Sequence, residues 1–387
     1  MSFFSFFRKK EKPLTLVLDI GSGSVGAGII SLDEHLHPVV IYTTRIPIAT
    51  SEKSTTKLLS ATMASVKSAL AIIDKYHKKE MPNRGCLDKA IVSIASPWYV
   101  SLTKKLLLED SNKPILFTKK LIEDAIAREE ASFEKNSGLK SNDPFVLEKS
   151  VVQARLNGYE TNNPYNKKAR SVELSMYFGL TSKGIAMDIQ NSINSVCGIK
   201  IVDIHSFPFI AYNIIRDVFA DDRNFLFMDI AGEVTDIISV RDGFFGETAS
   251  FPSGRNMLVE KIASVLKITT DVATSQLNLY ADGDLSGEEA KKIENIVNQF
   301  ENDWLSLAQK TINSMNNGML GISKIFIVAD GDVEFVFSEY IKKIKEGVSP
   351  VVIGKDSLAN FITYATTAPV SDEFIDMLAL YAYRRVK

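Results

Sequence analysis

The sequence of 387 residues is poor in the residue types that build metal centres and disulfides, with two cysteines and four histidines. Cys86 and Cys197 lie far apart without metal-type spacing, which favours buried thiols in a reducing compartment over a disulfide. His35 and His37 fall in a polar turn before Pro38, where no further metal ligands accompany them. These absences argue against a disulfide-stapled secreted domain and against a zinc site.

The sequence also lacks a strong charge bias and a long apolar run. Its formal net charge is −2, which gives no reason to expect nucleic-acid binding. No stretch of about eighteen apolar residues occurs, so no transmembrane helix is predicted. An apolar fraction of 45% can supply a large core. The length predicts about two to four subdomains.

The first twelve residues combine an aromatic cluster with a basic one. The members are Phe3, Phe4, Phe6, Phe7, Arg8, Lys9, Lys10 and Lys12. The charges follow the apolar part and no cleavage site is present, so the segment is not a secretory signal. It is predicted either to touch an anionic membrane surface as a weak anchor, or to be a frayed terminus or an aromatic tuck against the core. The first alternative places the protein in the cytoplasm, peripheral on the inner face of the cell membrane.

Two aspartate-centred loops, far apart in the chain, each follow an apolar run. The first reads LVLDIGSGS over residues 16–24, and the second reads LFMDIAGEVTD over residues 226–236. A strand-like stretch follows each loop, so each loop is predicted to be the tip of a β-hairpin. Glycine lets backbone N–H groups approach an anion, hydroxyls add donors, and a strand-end aspartate can hold Mg²⁺ through water. Two such loops facing each other would clamp a nucleotide tail.

This pair of loops resembles the actin-like ATPase superfamily. IFIVADGD, residues 325–332, lies where that superfamily has a strand and an adenosine-binding turn, and FPSGR, residues 251–255, resembles its turn at the nucleotide cleft. The resemblance covers about residues 14–385. It implies an α/β, two-lobed actin-like (ribonuclease H-like) ATPase fold that binds ATP with Mg²⁺ between the lobes.

The resemblance also implies roles for single residues. Asp19 would lie near Mg²⁺, Asp229 would place a water as the catalytic residue, and Ser22 with its neighbours would cradle phosphate. The residues expected at the nucleotide are Asp19, Gly21, Ser22, Gly23, Ser24, Asp229, Gly232, Thr235, Gly254 and Gly331, and Asp236 is a further candidate.

Several residues depart from the superfamily's glycine-rich pattern. They are Ala231, Glu233, Arg255, Asp330 and Asp332. An acid near a polyphosphate raises the local negative potential and weakens binding unless Mg²⁺ or a lysine offsets it. The sequence therefore predicts weak ATP binding and at most a slow ATPase.

An insertion is predicted over residues 95–204, between the two loops, in the order strand, helix, two strands, helix, strand. It resembles the strand-helix-strand-strand insert of the division protein FtsA and of PilM from type IV pili. LNGY at 156–159, KKA at 167–169 and GLTS at 179–182 favour FtsA, whereas the short Phe/Lys start also resembles PilM. Unlike FtsA, the chain stops at Lys387 without an amphipathic helix, which leaves residues 1–12 as the candidate anchor.

Four parts follow from these patterns: an N-terminal segment 1–13, a core part 14–94 with the first loop, the insert 95–204, and a core part 205–387 with the other loops. Two functions are considered, and the sequence of the insert favours the first. One is an FtsA-like, ATP-binding scaffold that self-associates into filaments or oligomers and links a tubulin-like division protein to the membrane. The other is a PilM-like adaptor of pilus or secretion assembly, whose insert captures a membrane-protein peptide. A sugar-kinase-like enzyme is less favoured because the insert offers no catalytic aspartate.

Overall fold

The computed structural model describes residues 13–32, 37–48, 54–82, 85–110, 112–136, 144–161, 163–365 and 371–385, with backbone alone for 130–136. The Phe- and Lys-rich segment 1–12 and His35 lie outside the described residues. Cys86 is exposed and Cys197 is half-buried, so the expectation of two buried thiols is wrong for Cys86.

Runs of one to four strands are separated by one or more helices along the described part of the chain. The strands are β1 (Leu14–Ile20), β2 (Ser24–Leu32), β3 (Pro38–Pro47), β4 (Leu87–Ile94), β5 (Tyr99–Glu109), β6 (Ile115–Leu116), β7 (Pro144–Leu156), β8 (Tyr159–Glu160), β9 (Lys168–Ala169), β10 (Ser171–Ser182), β11 (Ile201–Ser206), β12 (Phe225–Ile230), β13 (Thr235–Arg241), β14 (Phe244–Phe251), β15 (Lys324–Ala329), β16 (Ser349–Val352) and β17 (Thr363–Tyr364). The helices are α1 (Thr55–Glu80), α2 (Lys119–Asn136), α3 (Lys183–Cys197), α4 (Phe207–Val218), α5 (Arg255–Leu266), α6 (Thr270–Ala281), α7 (Gly287–Ser314), α8 (Glu334–Lys342), α9 (Lys355–Leu358) and α10 (Glu373–Arg384).

The first lobe is built on a sheet in the order β11-β4-β1-β2-β3-β17. Strand β1 pairs antiparallel with β2 and parallel with β4, and all of its residues are buried. A strand that is covered on both faces is expected to have apolar residues at nearly every position. Residues 14–20 are apolar except for Thr15 and Asp19. The buried aspartate therefore stands out at the end of a central strand, directly before the first loop.

Helix α1 covers one face of this sheet together with α3. Its buried residues recur at helical spacing, among them Leu58, Val66, Leu70 and Ile73. By length and composition alone α1 could also cross a membrane, against the expectation from apolar run length. Its apolar stripe packs on the sheet in the core shared with β1 and β2, which is the ordinary reason for such a stripe in a folded domain.

The second lobe repeats the first lobe's plan on a sheet in the order β14-β13-β12-β15-β16. Strand β12 pairs antiparallel with β13 and parallel with β15, as β1 does with β2 and β4. Helices α5 to α8 pack on one face around the buried Trp304 and Phe337. Helices α4 and α10 lie in a core shared by the two lobes, where Phe207 packs against Phe227 and Phe374. The repeat brings the two hairpin tips to equivalent ends of the two sheets.

The insert forms its own sheet in the order β5-β10-β7-β8, with α2 packed on it. In chain order β5, α2, β7 and β10 give strand, helix, strand, strand. The predicted boundary at residue 204 differs from the structure, because β11 pairs with β4 in the first sheet and α3 packs on α1. The insert sheet therefore ends at Ser182, and the helix and strand that follow complete the first lobe.

Candidate functional site

The first loop begins at Asp19, whose carboxylate is buried at the end of β1. The Ser93 hydroxyl on the neighbouring strand donates to Oδ1 at 2.7 Å. Both terminal nitrogens of Arg45 donate to Oδ2 at 3.2 Å. Burial raises the pKa of Asp19 to about 6, against the opposing effects of Arg45 and the Ser93 hydrogen bond. The aspartate expected beside Mg²⁺ is thus already paired with a cation from its own lobe.

Arg45 extends from β3 and is held on several sides. Its Nε and Nη2 donate to the two carboxylate oxygens of Asp372 at 2.8 Å each, a bidentate pairing that fixes the guanidinium plane. Its Nη1 donates to the Ser24 hydroxyl at 2.8 Å, and its Cζ lies 4.6 Å from the ring centre of Phe374. Asp372 caps the N-terminus of α10 and accepts from the Ile375 N–H at 3.1 Å. One side chain therefore ties β1, β2, β3 and α10 together.

Asp229 holds the equivalent position at the end of β12 and is only 1% exposed. Neither of its carboxylate oxygens has a hydrogen-bond partner among the described residues. Burial, followed by the nearby Asp236 and Asp19, raises the pKa of Asp229 well above its usual range. Asp229 therefore lines the space between the loops with a raised pKa and without a hydrogen-bond partner among the described residues.

The two predicted phosphate loops touch each other. The Ser22 hydroxyl accepts from the backbone N–H of Glu233 at 3.0 Å. A Cβ placed on Gly232 would stand 2.5 Å from Gly23 Cα and 2.6 Å from Gly23 N, so the two backbones meet without side chains between them. The oxygen expected to face phosphate is bound instead by the opposite loop.

The backbone donors at the start of α5 are also used. The N–H groups of Arg255 and Asn256 donate to the carbonyls of Ala231 and Gly232 at 3.0 and 2.9 Å. A helix N-terminus binds anions through such free N–H groups, and here these two are satisfied by the second loop. Gly254 permits this approach, since its Cβ would fall 2.1 Å from the Ala231 carbonyl oxygen.

The remaining predicted residues have structural contacts. The Thr235 hydroxyl donates to the Ser253 carbonyl at 2.6 Å. Asp236 accepts from the Ser96 hydroxyl at 2.8 Å and the Tyr99 hydroxyl at 3.3 Å, which joins the second lobe to the start of the insert. These two residues therefore do not line the cavities between the loops.

The acidic turn after β15 pairs with an arginine. Arg255 Nε donates to both oxygens of Asp332 at 2.9 Å and lies 3.7 Å from a carboxylate oxygen of Asp330. Glu233 is also engaged, since the Asn256 side-chain amide donates to it at 2.8 Å. Three of the residues that depart from the superfamily's glycines, Asp330, Asp332 and Arg255, therefore make one cluster.

The space between the loops consists of two adjoining cavities. The inner one has a volume of about 20 Å³ and is lined by Asp19, Gly21, Gly23, Ser24, Arg45, Ala95, Phe207, Asp229, Ile230, Ala231, Gly232, Asp330 and Phe374. That volume suits about one water molecule. The outer one, of about 550 Å³, is lined by Tyr42, Thr43, Thr44, Arg45, Asp330, Gly331, Ser371, Asp372 and Glu373. The structure thus brings most of the predicted residues together around the inner cavity, which is too small for a triphosphate.

The residues present do not fit Mg²⁺ and ATP in this arrangement. Asp19 is paired with Arg45, and the described residues contain no group of three or more histidine, cysteine or acidic residues able to hold a metal ion. The outer cavity could admit an organic molecule by size, but its lining carries three carboxylates and Arg45. That guanidinium already pairs with Asp372 and Asp19, so a polyphosphate would have to displace these carboxylates to bind it.

The comparisons with known proteins identify the fold. No protein-family model matches the chain, and neither does any curated protein. Among solved structures, PilM in a PilM-PilN type IV pilus biogenesis complex superposes with a TM-score of 0.64 at 13% identity, over 97% of this chain and 99% of that chain. The ethanolamine utilization protein EutJ from Carboxydothermus hydrogenoformans matches with a TM-score of 0.46 at 11% identity, over 88% of this chain and 84% of that chain.

The molecule therefore has the actin-like ATPase fold, as the sequence predicts. PilM shares that fold across nearly the whole chain, the insert included. At such low identity the likeness establishes the fold and leaves the function to be argued from the cleft itself.

Proposed function

We propose that the protein is an actin-like scaffold that works as a PilM-type adaptor, holding a membrane-linked partner in an assembly of the type IV pilus kind. The observation that carries this proposal is the direct contact between the two loops, in which the Ser22 hydroxyl binds the Glu233 N–H at 3.0 Å. A cleft closed by its own backbone supports a fixed shape, which an adaptor needs. It does not support repeated nucleotide turnover, which needs the loops to separate around a phosphate.

The fold match adds support. The solved PilM structure is a complex with PilN, and this chain superposes on PilM over 97% of its length. By analogy, the partner here is a peptide of a membrane protein, and the insert is the part of the chain that differs most from a plain two-lobed core. The Phe- and Lys-rich segment 1–12 is proposed to add a weak contact with the inner face of the cell membrane.

A second candidate is an FtsA-like division scaffold, and the turn between β7 and β8 favours it. The segment LNGY at 156–159, which resembles FtsA, forms a defined turn in which Asn157 has a φ of 53°. The side-chain oxygen of Asn157 accepts hydrogen bonds from the N–H groups of Arg170 and Ser171 at 2.8 and 3.2 Å. In this alternative the partner is a tubulin-like division protein, and the scaffold self-associates into filaments with bound ATP and Mg²⁺.

Sedimentation of the full chain separates the two candidates. The protein is spun at high speed alone, with Mg²⁺ and ADP, and with Mg²⁺ and ATP, over a range of protein concentrations, and pellets are inspected by electron microscopy. An adaptor gives the same soluble fraction under all conditions. Filaments that appear with ATP and Mg²⁺ alone would contradict the adaptor and favour the ATP-gated scaffold. Affinity capture from the native cell then identifies the partner as a membrane protein or a tubulin-like protein.

A further inference from the structure

The cleft carries an unusual balance of charge. The acidic side chains that line its two cavities are Asp19, Asp229, Asp330, Asp372 and Glu373, and the basic side chain that lines both is Arg45. Carboxylates packed this closely repel one another, so each must either carry a proton or lie beside a cation. In a site that binds metal and nucleotide, the metal supplies that charge.

Arg45 has the position and the contacts to supply the charge from within the chain. Its Nη2 lies 3.2 Å from an Asp19 oxygen and 2.8 Å from an Asp372 oxygen, so one nitrogen bridges two carboxylates from β1 and α10. Its Nη1 reaches the hydroxyl of Ser24 in the first loop. The Phe374 ring covers the guanidinium, whose side chain is 23% exposed. Arginine suits this role because its charge is permanent and its planar fork matches carboxylates.

We propose that Arg45 is the resident cation of this cleft and takes the place that a bound metal with its nucleotide would have in stabilising the closed arrangement. The closed cleft therefore needs neither Mg²⁺ nor ATP. The carboxylates of Asp19 and Asp372 lose their common counter-ion when Arg45 is removed, and they then form a site for a divalent cation. This assignment holds whichever partner the protein binds, because it concerns the cleft and not the interaction surface.

Thermal melting of the full chain tests the proposal, with EDTA, MgCl₂, MnCl₂ or Mg²⁺ with ATP as separate arms. The native chain is expected to melt at the same temperature in all arms, to within about 1 °C. Arg45→Ala leaves buried carboxylates unpaired and is expected to melt about 4–6 °C lower in EDTA. Mg²⁺ or Mn²⁺ should restore part of that loss in Arg45→Ala alone. The double variant Arg45→Ala with Asp19→Asn should recover stability without metal and lose the metal response.

Arg216→Ala is the matched control. Arg216 lies outside the cleft but has the same kinds of contact as Arg45. Its Cζ lies 5.1 Å from the ring centre of Tyr212, and its Nε lies 3.6 Å from a carboxylate oxygen of Asp217. It should show no metal response. Stabilisation of the native chain by Mg²⁺ or by Mg²⁺ with ATP would overturn the proposal, as would an Arg45→Ala chain that melts like the native chain. If Arg45→Ala does not fold, Arg45→Lys replaces it, because lysine keeps the positive charge without the planar guanidinium. Stabilisation of Arg45→Lys by Mg²⁺ or Mn²⁺, or of the native chain, would then overturn the proposal.

Discussion

The hydroxyl of Ser22 and the backbone N–H of Glu233 meet at 3.0 Å, which joins the first loop to the second across the cleft. The two residues lie on hairpin tips from different lobes, at the ends of β1 and β12. Nothing in either loop's own sequence requires this contact, since each tip reads as an anion-binding turn. Their mutual hydrogen bond follows from the pseudo-repeat of the lobes, which aims both tips at the same point. The relationship makes the loops part of the structural core of the cleft.

Substitution of Gly232 by alanine should open this contact. The added Cβ would lie 2.5 Å from Gly23 Cα, which is backbone and cannot rotate away, so the loops must separate. We expect a loss of about 1–3 kcal/mol in the free energy of unfolding, typical of overpacking at a close contact. We also expect faster amide hydrogen exchange in residues 21–24 and 231–234, measured by mass spectrometry.

Gly331→Ala is the control for that experiment. A Cβ on Gly331 has nothing within 4 Å, although the residue lines the outer cavity of the same cleft. Its stability and exchange should match those of the native chain. Equal behaviour of the two variants would show that the loop contact contributes nothing to the closed state.

The stability of the cleft should depend on pH through the start of α10. Burial, and next the neighbouring Asp372, raises the pKa of Glu373 to about 8, while Arg45 opposes and Asp330 adds to the shift. Burial likewise raises the pKa of Asp376 to about 7. The unfolded chain releases these protons near pH 4, so the folded state binds more protons between about pH 4 and pH 8. The free energy of unfolding must therefore fall as the pH rises through that window.

Melting temperatures from pH 5 to pH 9 test this direction. The native chain should melt at a lower temperature at pH 8 than at pH 5, and Glu373→Gln should flatten the curve between pH 6 and pH 8. Glu339→Gln is a suitable control because that carboxylate lies on the surface of α8 beside Lys342. A native curve that rises from pH 5 to pH 8 would refute the assignment.

The sequence predicts the strands and loops of this site, but it does not predict the contacts that hold the two loops and Arg45 together. The apolar runs that end in Asp19 and Asp229 mark central strands, because both faces of those strands are covered. Arg45 gives no comparable signal, since it falls in the alternating strand β3 and reads as an ordinary solvent-facing residue. Its partner Asp372 lies 327 positions away, and a pairing at that distance depends on the tertiary fold alone. A cap signal at Asp372, before the apolar run of α10, could have marked the helix start but not the ion pair.

The insert boundary shows the same limit. The second helix predicted within residues 95–204 is present as Lys183–Cys197, so the element itself is well predicted. The spacing of apolar residues in this helix does not indicate which sheet the helix packs on. The helix α3 and the strand β11 belong to the first lobe because their apolar faces complete that core, with Ile189 and Ile193 fully buried there.

Glu148 should be a main attachment of the insert to the core. Its carboxylate, on β7, accepts from the Ser206 backbone N–H at 2.6 Å and from the Ser206 hydroxyl at 3.0 Å, at the junction of β11 and α4. Glu148→Ala would leave a buried N–H without a partner, for a loss of about 1–3 kcal/mol in the free energy of unfolding. Denaturant titration measures this change in the free energy of unfolding. Glu173→Ala, on the adjacent β10 with an ion pair of 3.9 Å to Arg155, is the control and should cost less than about 1 kcal/mol. A larger loss for Glu173→Ala would contradict the attachment.

Residues 1–12 should bind anionic membranes reversibly. Their phenylalanines supply apolar area, and each basic residue near an anionic surface adds about 1 kcal/mol. That binding energy is marginal for one chain and becomes sufficient when several copies assemble, since linked anchors raise each other's effective concentration.

Liposomes of anionic and of neutral lipid are pelleted with the full chain and with a chain that begins at Pro13, in low and high salt. The full chain should pellet with anionic liposomes in low salt, and the shortened chain should stay soluble. A full chain in which Arg8, Lys9, Lys10 and Lys12 are replaced by glutamine is the matched control for charge, and it should lose the salt-sensitive part of the binding. Equal pelleting of the full and shortened chains would leave attachment to a membrane-protein partner as the remaining route to the membrane.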